Sequence, residues 1–158
     1  MISEVDRKHL QRCVELATEA LEHGDQPFGS VLVSSSGQVL FEDRNRVSGG
    51  DRTRHPEFAI ARWAAEHLAP DERARATVYT SGEHCPMCAA AHGWVGLGRI
   101  VYASSVQQLG EWLVELNAPA SPVRPLSIRD VLQDADVMGP VEEFAGPIRQ
   151  LHEKFYAP

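Results

Sequence analysis

Two short stretches carry the residues most able to do chemistry: His55-Pro56-Glu57, and His84-Cys85-Pro86-Met87-Cys88. Cys85 and Cys88 stand three positions apart, with Pro86 between them marking the start of a helix. That spacing brings two thiolates close enough to grip one ion. Taken alone, Cys-x-x-Cys is open between a redox pair and half of a metal site. His55, thirty positions before Cys85, supplies the missing ligand type. One neutral imidazole and two thiolates make three protein ligands, and an open fourth position is what separates a catalytic zinc from a structural one. Glu57 is too close in sequence to His55 to bind the same ion comfortably. It is well placed instead to take and return the protons of a water activated there.

His-x-Glu followed by a Pro/Cys-x-x-Cys element is the signature of zinc deaminases, in which the Glu is acid/base and not ligand. On these residues the chain resembles the cytidine/deoxycytidylate deaminase superfamily, and most resembles its guanine deaminase branch. The resemblance implies a three-layer α/β/α sandwich around a central mixed five-stranded sheet. It also implies one Zn2+ per chain on His55, Cys85 and Cys88, with Glu57 catalytic. Pro27-Phe28-Gly29 is similar to a Pro-Phe-Gly-Ala-Val segment whose Phe packs beside the substrate base. Asn45 is similar to an asparagine that hydrogen-bonds the base. Members of the branch are homodimers whose C-terminal segment crosses to the partner, which makes 139–158 the segment to be exchanged and Tyr156 the aromatic residue to be lent. Three departures bear on substrate choice. Pro56 replaces an Ala and removes an N–H, His84 replaces a Pro, and Ser104 to Trp112 lacks an Asp-containing loop usual in the branch.

These groups need elements to hold them. Leu10, Cys13, Val14, Ala17 and Leu21 recur at helical spacing, predicting a helix from about Val5 to His23, capped by Ser3 and ended by Gly24. Val31-Leu32-Val33 and Val39-Leu40-Phe41 flank Ser34-Ser35-Ser36-Gly37 and read as a hairpin. A mostly apolar helix starts at Pro56 and is stopped by Ala69-Pro70; being apolar on several sides, it is expected to lie centrally. Thr77-Val78-Tyr79-Thr80 reads as a strand, Pro86 to Trp94 as a small-residue helix, and Ile100 to Ala103 as another strand. A helix near Leu109 to Leu116 follows, with Trp112 facing the core. The proline-rich stretch from Asn117 to Pro125 is a surface loop. Ser127 caps a short helix, Val137-Met138 adds a last strand, and a final helix presents Val141, Phe144, Ile148, Leu151 and Phe155 on one face. Helices on both faces of a mixed sheet follow from this order.

At 158 residues the chain suits one domain, 1–158. Its formal charge of −7 disfavours a long polyanion, since non-specific nucleic-acid affinity comes from Lys and Arg on phosphates. Arg44, Arg46, Arg52 and Arg54 cluster locally and read as solvated loop charges. Only three cysteines occur, Cys13, Cys85 and Cys88, which excludes a disulfide framework and fits a reducing cytoplasm, with Cys13 filling core space. The polar, acidic start is not a secretory signal, and no apolar run is long enough to span a bilayer. The function expected is therefore zinc-dependent hydrolytic deamination of a free base or small nucleoside-like heterocycle: guanine or a related purine, cytosine, or a triazine analogue. Two rivals stand beside it: a tRNA-specific adenosine deaminase, and a non-catalytic binding protein whose zinc is closed by a fourth ligand such as His67, His84 or His92.

Overall fold

The computed structural model describes residues 1–158. Five strands, β1 (Gly29–Val33), β2 (Val39–Arg44), β3 (Thr77–Gly82), β4 (Ile100–Ser104) and β5 (Val137–Met138), form one sheet in the order β2-β1-β3-β4-β5. β1 is antiparallel to β2 and β3, whereas β3, β4 and β5 are parallel. Parallel neighbours need a crossover. Helix α4 (Pro86–Val95) supplies it between β3 and β4, and α5 (Val106–Glu115) with α6 (Ile128–Val131) supplies it between β4 and β5.

Alternation along the strands divides the core in two. Val31, Val33, Tyr79 and Val101 pack with Leu10, Cys13 and Ala17 of α1 (Glu4–Glu22), Trp112 of α5, and Phe144, Ile148 and Leu151 of α7 (Glu142–Phe155). On the opposite face Leu32 and Val78 meet Ile60, Ala61 and Ala64 of α2 (Pro56–His67), while Ile100 packs with Ala89 of α4 and Ile128 of α6. The result is the expected three-layer α/β/α sandwich. No helix is long and apolar enough to cross a membrane.

Local chemistry sets the element ends. Ser3 and Asp6 form a reciprocal capping box at the start of α1. Asp6 is buried, and its carboxylate is held by the Tyr79 hydroxyl at 2.7 Å and the Arg99 guanidinium at 3.0 Å. Gly29 is where β1 crosses α1, because a Cβ there would lie 2.4 Å from Leu16 Cβ and 2.7 Å from the Cys13 carbonyl. Pro56 and Pro86 occupy first-turn positions where a missing N–H costs nothing.

Two expectations need correction. Ala69-Pro70 ends α2 but also begins a helix, α3 (Pro70–Arg75), whose Glu72 carboxylate accepts from the Ala69 N–H. α2 is an outer-layer helix: its first turn, Pro56 and Glu57, and its Ile60-Ala61-Ala64 side are buried, while Trp63 stacks near the surface between Phe41 and His67. Apolar content alone overstates burial when one helix face is wide and sheet contact is narrow.

Candidate metal and catalytic site

The first turns of α2 and α4 converge at the end of β3. His55 and Cys85 are the residues immediately preceding these helices, and Cys88 lies one turn into α4. His55 Nδ1 is 3.5 Å from Cys85 Sγ and 3.5 Å from Cys88 Sγ, and the two sulfurs are 3.5 Å apart. Three corners of a tetrahedron around a zinc ion with bonds of about 2.0–2.3 Å lie roughly 3.5–3.8 Å apart, so the triangle fits the ion. The donor atoms of these three residues all fall within 4.8 Å of one another. The Cys88 thiol, together with the His55 ring and the Cys88 N–H, holds the Cys85 thiol down to about 4. The same bond to Cys85, with burial, pushes Cys88 well up. The positive helix ends favour the thiolate form of a cysteine, and a thiolate beside an imidazole is a ligand pair suited to a cation. No fourth side chain closes the triangle: His84 packs edge-on against His92, and His67 stacks on Trp63.

Glu57 is buried in the first turn of α2. Burial pushes its carboxyl up from the usual range, opposed by His55 and by the hydrogen bond from Thr80. Its Oε1 accepts from Thr80 Oγ1 at 2.8 Å and Ser30 Oγ at 3.0 Å, and the two hydroxyls are 2.8 Å apart. A buried carboxyl whose pKa is raised, set beside three metal-ligating groups, is of a kind able to take and give a proton.

Phe28 and Asn45 are brought together at the open end of the β1–β2 hairpin, where the Asn45 N–H donates to the Phe28 carbonyl at 3.0 Å. The Phe28 ring lies against Gly82, whose added Cβ would fall 3.1 Å from it, so Phe28 reaches the end of β3. Asn45 is buried, and its Oδ1 accepts from the Val47 N–H at 2.9 Å. Asp25 accepts from the Ser48 N–H and from Arg44, holding the loop around Asn45. Tyr156 accepts a hydrogen bond from Gln26 Nε2 of its own chain at 3.0 Å, beside the Phe28 turn.

Sequence reading missed several neighbours. His152 of α7 is buried edge-on against Phe28, with Nε2 unpartnered. Its signal was hidden because it falls among charged residues of the terminal helix. His84, one of the histidines offered as a fourth ligand, is 1% exposed and neither ring nitrogen has a partner. Glu83 spans the start of two helices, accepting from the Val106 and Ile128 N–H groups. Ser30 and Thr80 looked like ordinary strand residues, although Ser30 stands where the Pro-Phe-Gly-Ala-Val segment has Ala.

Residues 3–104 match the family described as the cytidine and deoxycytidylate deaminase zinc-binding region. A protein of Schizosaccharomyces pombe named as a probable cytosine deaminase is 32% identical over 148 residues, 90% of this chain and 88% of that protein. The guanine deaminase of Bacillus subtilis is 36% identical over 97 residues, covering 60% of this chain and 62% of the relative. Among solved structures, guanine deaminase from Nitrosomonas europaea superposes with a TM-score of 0.72 at 17% identity, covering 100% of this chain and 87% of the other, a likeness of fold.

Proposed function

The chain belongs to the cytidine and deoxycytidylate deaminase family, and from that premise we propose that it is a zinc-dependent hydrolytic deaminase of a free nucleobase or small nucleoside-like heterocycle. The observation that carries the reading is the open triangle of His55, Cys85 and Cys88 with Glu57 buried beside it. When bound, zinc supplies a Lewis acid that makes water a nucleophile at neutral pH. Glu57 takes a proton from the attacking water and delivers it to the ring nitrogen beside the attacked carbon. It then takes the proton from the hydroxyl now on that carbon and passes it to the exocyclic nitrogen; the C–N bond breaks, ammonia leaves, and the carbon becomes a carbonyl. Phe28 packs against the ring, Asn45 Nδ2 donates to a ring acceptor, and Tyr156 covers the pocket mouth.

Guanine or a related purine, cytosine, and triazine analogues are the substrates that this reading admits. The long match to a cytosine deaminase relative supports a pyrimidine, and the match to a guanine deaminase supports a purine. The formal charge of −7 supports a small molecule over an RNA stem-loop. We place the enzyme in solution as a homodimer of one-domain chains, with 139–158 the segment available for exchange. The decisive experiment is an ammonia-release screen of zinc-loaded protein across purines, pyrimidines, pterins and triazines. Turnover of one member is expected, with Glu57→Gln retaining zinc and losing roughly 10²–10⁴ in rate. Silence across the panel, or Glu57→Gln turning over at the wild-type rate, would overturn the assignment.

A further inference from the structure

Leu32↔Val78 and Ser30↔Thr80 are cross-strand pairs of β1 and β3 that share one face of the sheet, the face covered by α2. Beneath the body of α2 that face is apolar. It changes to two hydroxyls only beneath the first turn, where Glu57 lies. Ser30 and Thr80 are both 0% exposed, so the hydroxyls are out of reach of solvent and need partners in the protein. Each hydroxyl has one proton, and both can donate together to Glu57 Oε1, from 3.0 and 2.8 Å. The Gly82 carbonyl, 3.0 Å from Thr80 Oγ1, is the other acceptor within reach of that same proton.

We propose that Ser30 and Thr80 are positioning residues for Glu57: their hydroxyls fix Oε1, so that Oε2 is the oxygen that moves the proton in the reaction proposed above. In that step a water O–H bond breaks as Oε2–H forms, and Oε2–H then breaks as the proton passes to the substrate nitrogen. Oε1 keeps its two donors throughout. The inference rests on the deaminase reading for what Oε2 does, but the pairing itself can be tested without a substrate.

The experiment compares Thr80→Val, Thr80→Ser and Ser30→Ala, alone and combined with Glu57→Ala, measuring zinc content, thermal midpoint, and kcat and KM on the substrate found by the screen. Thr80→Val in otherwise wild-type protein is expected to keep zinc and to lower the midpoint by at least roughly 2–4 °C. In the Glu57→Ala background the same change is expected to be neutral or to raise the midpoint, because it removes a hydroxyl already left without its acceptor. Thr80→Val should reduce kcat roughly 10- to 100-fold with KM little changed, as a misaimed group does. Thr80→Ser, which keeps the hydroxyl, should restore most of the rate. Equal midpoint losses with and without Glu57, or kcat within about two-fold of wild type in both Thr80→Val and Ser30→Ala, would overturn the proposal. Coupled midpoints with no turnover on any amino-heterocycle would uphold the pairing and refute the deaminase reading instead.

Discussion

Asn45 and Glu57 do different work, and the structure separates them by what each already touches. Glu57 is anchored through one oxygen, whereas Asn45 spends its carbonyl on the Val47 N–H and keeps its amide donor. Asn45→Ala is therefore expected to raise KM about ten-fold, the weight of one hydrogen bond to a ligand, while zinc content stays at one per chain. Unchanged kinetics would remove Asn45 from the site. The metal ligands were legible in the sequence because their spacing encodes them: His55, Cys85 and Cys88 lie beside prolines that announce helix starts. Ser30 and Thr80 were not, because cross-strand register pairs residues fifty positions apart and no local pattern records it. The burial of His84 and His152 was hidden for the same reason, since a lone histidine has no periodicity.

At the scale of elements, helix starts, the hairpin and the short terminal strand could be read from caps, turn residues and alternation. α3 could not, because proline both stops one helix and starts the next. Arg73 of α3 then donates to the Ala64, Ala65 and Leu68 carbonyls at the end of α2 and to Val95 at the end of α4, binding together the helices that carry the ligands. α1 packs tightly on β1 at Gly29, where an added Cβ would lie 2.4 Å from Leu16 Cβ. Gly29→Ala must push α1 outward, and should cost about 1–3 kcal/mol, the usual penalty for overpacking. Urea unfolding measures it directly; a variant as stable as wild type would mean that α1 is free to shift. Because Gly29 adjoins Phe28 and Ser30, activity should fall with stability.

Over the whole molecule, two sets of contacts make stability depend on pH. Burial pushes Asp6 up, but the Ser3 N–H, Arg99 and Tyr79 outweigh it and hold the carboxyl well below its usual range. Its contribution is present above the unfolded value and is lost as pH falls below about 4. His152 titrates earlier. Burial lowers it to about 4 from 6.5, so the fold favours the neutral ring. That contribution is complete above about pH 6.5 and drains away toward pH 4, a change on the order of 2–4 kcal/mol. His152→Leu should thus narrow the fall in thermal midpoint between pH 7 and pH 5 relative to wild type; an identical fall in both would contradict it. The C terminus gives a second global prediction. Tyr156 meets Gln26 while Ile148 and Leu151 already anchor α7, so deleting 156–158 should reduce turnover more than it reduces the midpoint. Equal activity in the truncated protein would dismiss Tyr156 as a cover for the pocket.

Glu83 gives the molecule a modular construction. One carboxylate receives the first N–H of α5 and the first N–H of α6, immediately before the ligand-bearing turn. The stretch between β4 and β5 is therefore mounted on the site at two backbone points that do not depend on its side chains. A cassette of different sequence, spliced in with two helix starts at those points, would inherit the same mounting. Ser104 to Trp112, one of the departures from the branch that this chain resembles, adjoins that mounting, so a replacement must keep Glu83 as well as the core contacts of Trp112 and Ile128.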